Sequence, residues 1–186
     1  MVIRHPYEHG MLFAPPHGCR WRTERLRQVV LHWTGGEGSA RQVYDTLRRR
    51  RLGVHYVVDR GGAVWHMADV ASVATYHAGR ANGCSVGVEI VCCGVGHSDR
   101  ESYKAQIHGR TIEVCDFYPH QITSVVELVD QLCDQYDIRR DVQRATTRVS
   151  GIEDYEGVCG HYHWSKRKID PGPQIFYRLA RHWGLL

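Results

Sequence analysis

Short apolar runs rich in β-branched residues alternate along this chain with segments of helical periodicity. The runs at 28–32 and 85–91 have the length and composition of buried strands. Between them, Ser39 can cap a helix that extends to about Arg50. Strands interleaved with helices predict an α/β fold, with a central mixed β-sheet flanked by helices.

The rest of the chain adds four predicted elements and one segment without a period. The elements are a glycine-turn hairpin over 54–59 and 63–66, a helix over 121–136, a short strand near 158–159 and a closing helix over 173–183. The polar segment 95–118 shows no sustained periodicity. We interpret it as an elaborated surface connection.

The length of 186 residues fits one compact domain and is too short for two ordinary ones. We therefore expect a single domain over 1–186, with its core at 28–183 and an N-terminal extension at 1–27. No apolar run approaches the ~18 residues that a membrane span requires. The first 16 residues lack the apolar centre of a signal peptide, which predicts synthesis in the cytoplasm without a leader.

Charge and cysteine content narrow the classes of function. The chain carries 24 basic and 20 acidic residues, a net charge of +4, which is too small an excess to indicate nucleic-acid binding. The arginine-rich segments 22–27 and 48–51 are interpreted as solvated faces. Seven cysteines at irregular spacings include no CxxC pair, which argues against a disulfide framework or a zinc ribbon.

One histidine and one loop offer candidate metal ligands. His32 ends the first predicted strand, and a second segment carries His161, His163, Lys168 and Asp170 within ten residues. A catalytic zinc site needs three protein ligands and one open position. From the residues alone, a metal site and an ordinary polar loop remain open alternatives.

Glu89 is a carboxylate in the middle of the predicted strand 85–91. Alternation places it on the face opposite Val88 and Ile90. It is either a solvent-facing strand residue or a partly buried carboxylate in a cleft, with a raised pKa suited to a general base.

Five segments in order make the chain resemble a known family. They are VLHWT at 30–34, HYVVDRGG at 55–62, YHAG at 76–79, Asn82 with SVGVEI at 85–90, and GH at 160–161 followed by KIDPG at 168–172. Together they resemble the zinc-dependent N-acetylmuramoyl-L-alanine amidases of the type-2 class, which share their fold with the peptidoglycan recognition proteins.

The resemblance implies a role for each matching residue. It implies a Zn²⁺ cofactor with His32, His161 and Asp170 as ligands. His163 departs from the family pattern and is an alternative to His161 as a ligand. The resemblance further implies Glu89 as general base and Lys168 as the group that stabilises the transition state. Substrate-binding positions are implied at His77, Asn82, Trp33 and Thr34.

The same resemblance implies hydrolysis of the amide between the lactyl group of N-acetylmuramic acid and L-alanine of the stem peptide. The expected partner is peptidoglycan or a muropeptide, and the expected state is a monomer that binds no nucleic acid. A phage endolysin is expected first, ahead of a recycling amidase or a secreted toxin. A non-catalytic peptidoglycan-binding module and a cysteine hydrolase using Cys84 or Cys159 are the competing hypotheses.

Overall fold

A computed structural model describes the backbone of residues 3–4 and all of residues 18–96 and 99–186. Most of the N-terminal extension expected at 1–27 therefore lies outside the described residues, as do positions 97–98 of the segment 95–118. The residues that carry the family resemblance all lie inside them.

Six strands of the described residues form the central sheet. In spatial order they are β1 (Ile3–Arg4), β5 (Val64–His66), β4 (Tyr56–Val58), β7 (Ser85–Ile90), β3 (Gln28–Trp33) and β10 (Gly157–Gly160). Neighbouring strands are parallel except for β4 and β5, which form the predicted antiparallel hairpin. The prediction of a central mixed sheet is confirmed.

Within the described ranges, four helices flank this sheet: α1 (Ala40–Arg49), α2 (Pro119–Tyr136), α3 (His161–Trp164) and α4 (Gln174–His182). Short 3-10 turns cover Gly79–Gly83 and Ile152–Asp154. Ser39 caps α1 as predicted, and Gln42 completes a capping box that satisfies the free N–H groups of the first turn. No helix in the described part of the chain is long and apolar enough to cross a membrane.

The two faces of the central sheet have different roles. On one face, Val29 and Leu31 of β3 and Val88 of β7 join the main core, to which α2 and α4 also contribute. Side chains alternate along a strand, so His32 and Glu89 lie on the opposite face. That face is left with room for a polar site.

The segment 95–118 is more ordered than predicted. It contains β8 (Ser102–Ile107) and β9 (Arg110–Cys115), an antiparallel hairpin whose Ala105, Ile107 and Val114 are buried in the main core. The interpretation as a surface connection was wrong. Its turn is His108-Gly109, with φ of 52° and 73°, so both residues adopt the left-handed conformation that two-residue hairpin turns require.

Arg22 is a second departure from prediction. It follows β2 (Cys19–Trp21), which pairs with β6 (Val73–Thr75) in a small separate sheet. Its guanidinium donates hydrogen bonds to the carbonyls of Val70, Val73, Gly83 and Ser85. The interpretation as a solvated face was therefore wrong for this residue, which joins the backbone segments 70–73 and 83–85.

Candidate active site

The candidate site lies at the carboxyl ends of three adjacent parallel strands. His32 is near the end of β3, Glu89 is near the end of β7, and His161 immediately follows β10. Parallel strands bring their carboxyl ends to one edge of a sheet, which is where ligands bind in open α/β folds. Asp170 reaches the same edge from the loop after α3.

His32, His161 and Asp170 form a compact cluster of possible metal ligands. The Oδ2 atom of Asp170 lies 3.0 Å from Nδ1 of His32 and 3.1 Å from Nδ1 of His161, and the two Nδ1 atoms are 3.1 Å apart. Ligands about 2.0–2.1 Å from a tetrahedral zinc ion are roughly 3.3 Å apart. The spacing of the three donor atoms therefore fits such an ion.

A hydrogen-bonded chain behind the cluster determines which nitrogen of His32 faces it. The distance from His32 Nε2 to His77 Nδ1 is 3.0 Å, and that from His77 Nε2 to Ser85 Oγ is 3.1 Å. Ser85 donates its hydroxyl proton to the carbonyl of Ala81. Along this chain of hydrogen bonds the rings of His32 and His77 each donate through Nε2. Nδ1 of His32 therefore keeps its lone pair toward the cluster.

The electrostatics of the cluster also favour a cation. Burial lowers the pKa of His32, which keeps its ring neutral. Burial would raise the pKa of Asp170, but the hydrogen bond with His161 is the largest of the contributions that instead hold this pKa below its usual range, so Asp170 is a carboxylate. The lone pair of His32 and the carboxylate of Asp170 thus face each other as acceptors. A positive ion between them relieves this repulsion, so the donor set fits a bound metal.

His163 has no nitrogen available for this cluster. Its Nδ1 accepts the N–H of Gly160 at 2.9 Å, and its Nε2 lies 2.7 Å from the carbonyl oxygen of Ala145. The side chain is fully buried, and burial lowers its pKa to about 4. The alternative in which His163 replaces His161 is wrong in this structure, because both of its nitrogens bind backbone groups.

Glu89 and the three candidate ligands line one pocket. This pocket has a volume of about 440 Å³. The Oε2 atom of Glu89 is buried and has no hydrogen-bond partner among the described residues. Burial raises the pKa of Glu89 well above its ordinary value, and the nearby charge of Asp170 raises it further. The solvent-facing alternative is excluded, and the environment suits proton transfer.

Lys168 also lines this pocket, and its side chain is exposed. Its ammonium has no hydrogen-bond or ion-pair partner within the described part of the chain. The backbone of Lys168 is held in place, because His108 Nε2 lies 2.8 Å from its carbonyl oxygen. The unpredicted hairpin β8–β9 therefore supports the loop that carries Lys168.

The four positions expected to bind substrate divide into two pairs. Trp33 and Thr34 line the pocket, although the hydroxyl of Thr34 already donates to the carbonyl of Gly36. The side-chain oxygen of Asn82 accepts the N–H groups of His77 and Ala78, so Asn82 orders the backbone beside His77.

His77 borders the pocket, but both of its ring nitrogens have partners in the chain described above. Gly87 leaves the space for this ring: a Cβ atom built on Gly87 would lie 2.7 Å from His77. The geometry makes His77 a residue that positions His32.

Sequence reasoning missed Arg50, which lines the pocket although its segment was interpreted as a solvated face. Its exposed guanidinium makes no ion pair or side-chain hydrogen bond among the described residues. The only available signal was its position in a run of arginines at the end of a helix, which gives no direction for the side chain.

Neither candidate cysteine nucleophile lies in the pocket. Cys84 and Cys159 are buried, and their thiols contact the carbonyl of Ala81 and the side chain of Gln28. Burial raises the pKa of Cys159 to about 12, so its thiol stays protonated at neutral pH. The cysteine-hydrolase hypothesis finds no support in this geometry.

Comparison with known proteins identifies a family whose model matches most of the chain. A model of the family described as N-acetylmuramoyl-L-alanine amidase (Amidase_2) matches residues 22–173. None of the curated protein sequences is significantly similar to the chain.

Three solved structures illustrate the similarity of fold. The amidase AmiD from E. coli, in complex with the substrate anhydro-N-acetylmuramic acid-L-Ala-D-gamma-Glu-L-Lys, is 22% identical with a TM-score of 0.59; the match covers 85% of this chain and 57% of AmiD. LysC from Clostridium intestinale URNW is 14% identical with a TM-score of 0.63, over 99% and 98% of the two chains. The endolysin of Thermus scotoductus bacteriophage Ph2119 is 16% identical with a TM-score of 0.61, over 97% of each.

Proposed function

The chain belongs to the N-acetylmuramoyl-L-alanine amidase family, and on that basis we propose that it is a zinc-dependent endolysin. It hydrolyses the amide between the lactyl group of N-acetylmuramic acid and L-alanine of the stem peptide. The supporting observation is the convergence of His32, His161 and Asp170 beside Glu89 and Lys168 in one pocket.

Each residue contributes a defined step to this reaction. His32, His161 and Asp170 would hold the zinc ion, which would supply Lewis-acid chemistry that lowers the pKa of water to about 7 and polarises a carbonyl group. Glu89 removes a proton from the attacking water and returns it to the leaving amine. Its raised pKa makes its carboxylate a stronger base for the first of these transfers. Lys168 places its ammonium next to the negative charge that develops on the carbonyl oxygen.

The position of Glu89 sets the direction in which the substrate lies. The amine that leaves is the first nitrogen of the stem peptide, so the peptide must extend from the side on which Glu89 donates its proton. That side is the pocket of about 440 Å³. A second pocket of about 430 Å³ shares only His161 with it and contains Trp164, and we assign this pocket to the muramoyl side.

Arg50 gives the peptide side a selective contact. The ligand of AmiD contains D-glutamate linked through its γ-carboxyl, a linkage that leaves the α-carboxylate free. Arg50 is a cation with no ion-pair partner among the described residues, in the pocket assigned to the peptide, and a guanidinium binds a carboxylate in a bidentate manner. We assign Arg50 as the residue that binds the α-carboxylate of D-glutamate in the stem peptide.

The endolysin assignment draws on the solved structures to which the fold is similar. Among them is the Ph2119 endolysin, for which the match covers 97% of each chain. In this setting the enzyme is made in the cytoplasm and reaches peptidoglycan after release, and it acts as a monomer.

The test is mass spectrometry of purified muropeptides incubated with the protein, with matched samples treated with chelator and then with restored zinc. We expect zinc-dependent release of a free stem peptide that begins with L-alanine. Intact muropeptides in the presence of folded, zinc-loaded protein would contradict the proposal and indicate a binding module instead.

A further inference from the structure

Two thiols outside the active site lie in contact. The sulfur atoms of Cys93, in the segment after β7, and Cys115, at the end of β9, are 3.1 Å apart. The N–H of Cys115 also donates to the carbonyl of Gly94, so the two backbone segments are hydrogen-bonded beside the sulfurs. A disulfide bond requires about 2.05 Å between sulfurs, which these can reach by a movement of about 1 Å.

The surroundings favour this pairing over others. Cys92 is fully buried, and its sulfur accepts the N–H of Gly94 at 3.4 Å. Glu37, which lies near Cys92 and Cys93, places both carboxylate oxygens on the guanidinium of Arg100 at 2.7 and 2.8 Å. That ion pair occupies the carboxylate that a metal site with these two cysteines would need.

A disulfide bond between Cys93 and Cys115 would connect elements that support the active-site pocket. Cys115 lies at the open end of the hairpin β8–β9, and the turn at the other end supports the carbonyl of Lys168 through His108. Gly94, next to Cys93, packs on the indole of Trp33, where a Cβ would come within 2.3 Å of the ring. A covalent link would thus join the hairpin to the segment behind a wall of the active-site pocket.

We propose that Cys93 and Cys115 are a modification site at which a small-molecule disulfide, such as oxidised glutathione, forms an intramolecular disulfide bond. Cys93 is the more exposed thiol and reacts first. Its thiolate attacks the small disulfide and releases one thiol, and the Cys115 thiolate then attacks the Cys93 sulfur and releases the second. Two protein thiols are oxidised to one disulfide, and one small disulfide is reduced to two thiols.

This inference stands apart from the amidase reaction, although its biological setting rests on the proposed function. Cell surfaces and the periplasm are compartments in which disulfides persist. An enzyme that meets its substrate there would gain the link after leaving the reducing cytoplasm. The bond closes a loop of about 20 residues, which lowers the entropy of the unfolded chain.

The experiment incubates the full chain in oxidised or reduced glutathione, quenches with acid and alkylates free thiols under denaturing conditions. Intact mass and peptide mapping then identify the product. We expect five alkylated thiols, an intact mass about 2 Da below that of the reduced chain with five alkyl groups added, and a cross-linked peptide pair containing Cys93 and Cys115. A stable glutathione adduct, a bond between Cys92 and Cys93, or seven alkylated thiols would each overturn the proposal.

Thermal denaturation of the same samples supplies a second readout. The oxidised chain should melt about 5–10 °C above the reduced chain. Cys93→Ser should abolish this difference, whereas the neighbouring Cys92→Ala should retain it even if both of its forms melt earlier. An equal difference between oxidised and reduced forms of Cys93→Ser would also overturn the proposal. None of these measurements requires amidase activity, so they remain informative if the proposed function fails.

Discussion

Glu89 lies directly beside His32 in the register of the neighbouring parallel strands β7 and β3. Residues paired in this way point to the same face of a sheet, so the candidate base and the first candidate ligand share one rigid support. Their relative position depends on backbone hydrogen bonds between two buried strands. Sites built on such elements hold their geometry more closely than sites on loops.

Asp170→Ala should lose zinc, because it removes the oxygen that faces both imidazoles. The matched variant His163→Ala should keep the zinc content of the native chain, since both nitrogens of His163 bind backbone groups. Elemental analysis of the purified proteins measures both. Zinc retained in the first variant and lost in the second would transfer the ligand role to His163.

Lys168→Ala should retain fold and zinc and lose about 10²–10³ in kcat, the usual loss for one group that stabilises the oxyanion. Lys166→Ala is the control, because Lys166 is an exposed lysine of the same loop that does not line the pocket. Steady-state hydrolysis of a defined muropeptide provides the comparison. Equal kcat in the two variants would remove Lys168 from the reaction.

Glu89→Gln should stabilise the metal-free protein increasingly as pH rises. The pKa of Glu89 is raised in the folded state, so its carboxyl contributes stability below the unfolded pKa and loses it as pH rises toward the folded pKa. Glutamine stays neutral throughout. Thermal denaturation in chelator from about pH 4.5 to 8 should show that the Tm of Glu89→Gln rises further above that of the native chain as pH increases. A difference in Tm that stays constant with pH would contradict this prediction.

Arg50→Gln should lower kcat/KM about tenfold or more for stem peptides that carry D-glutamate, because a charged hydrogen bond contributes about 1.5–3 kcal/mol. Substrates with D-isoglutamine at that position lack the carboxylate and should be affected much less. Arg49→Gln, on the same helix but outside the pocket, is the matched control. An equal loss on both substrates would contradict carboxylate recognition while leaving the amidase assignment intact.

Arg22→Ala should lower the free energy of unfolding by about 2–4 kcal/mol, because four backbone carbonyls lose a charged donor. Arg25→Ala should change it by less than about 1 kcal/mol, since Arg25 is exposed and pairs with exposed Asp137 and Glu156. Urea denaturation measures both. Similar values for the two variants would mean that solvent replaces the contacts of Arg22.

The central sheet was predictable because its signals are local. Buried strands such as 85–90 are short runs in which every second residue is β-branched, and in α1 Ser39 with Gln42 forms a capping box within four positions. The hairpin β8–β9 was missed because its outward residues are polar and its turn is His108-Gly109. A histidine in the left-handed conformation is uncommon, so this dipeptide is a weak turn signal.

The chemistry of the candidate site was visible in part. The residues 168–172 and the strand ends at His32 and Glu89 carried enough of the family pattern to predict the group that the structure brings together. Apart from the N–H of Gly160, the partners described above for His163 and Arg22 are backbone carbonyls 18 or more residues away in sequence. No residue pattern marks a backbone partner, so the hydrogen bonds of these two side chains could not be predicted.

Gly87 shows how a position without a side chain can govern chemistry at a distance. It does not line the active-site pocket, yet a methyl group there would displace the ring of His77 and, through it, the orientation of His32. A survey of substitutions would therefore record Gly87 among the positions most sensitive for activity. A search restricted to residues that touch the substrate would overlook it.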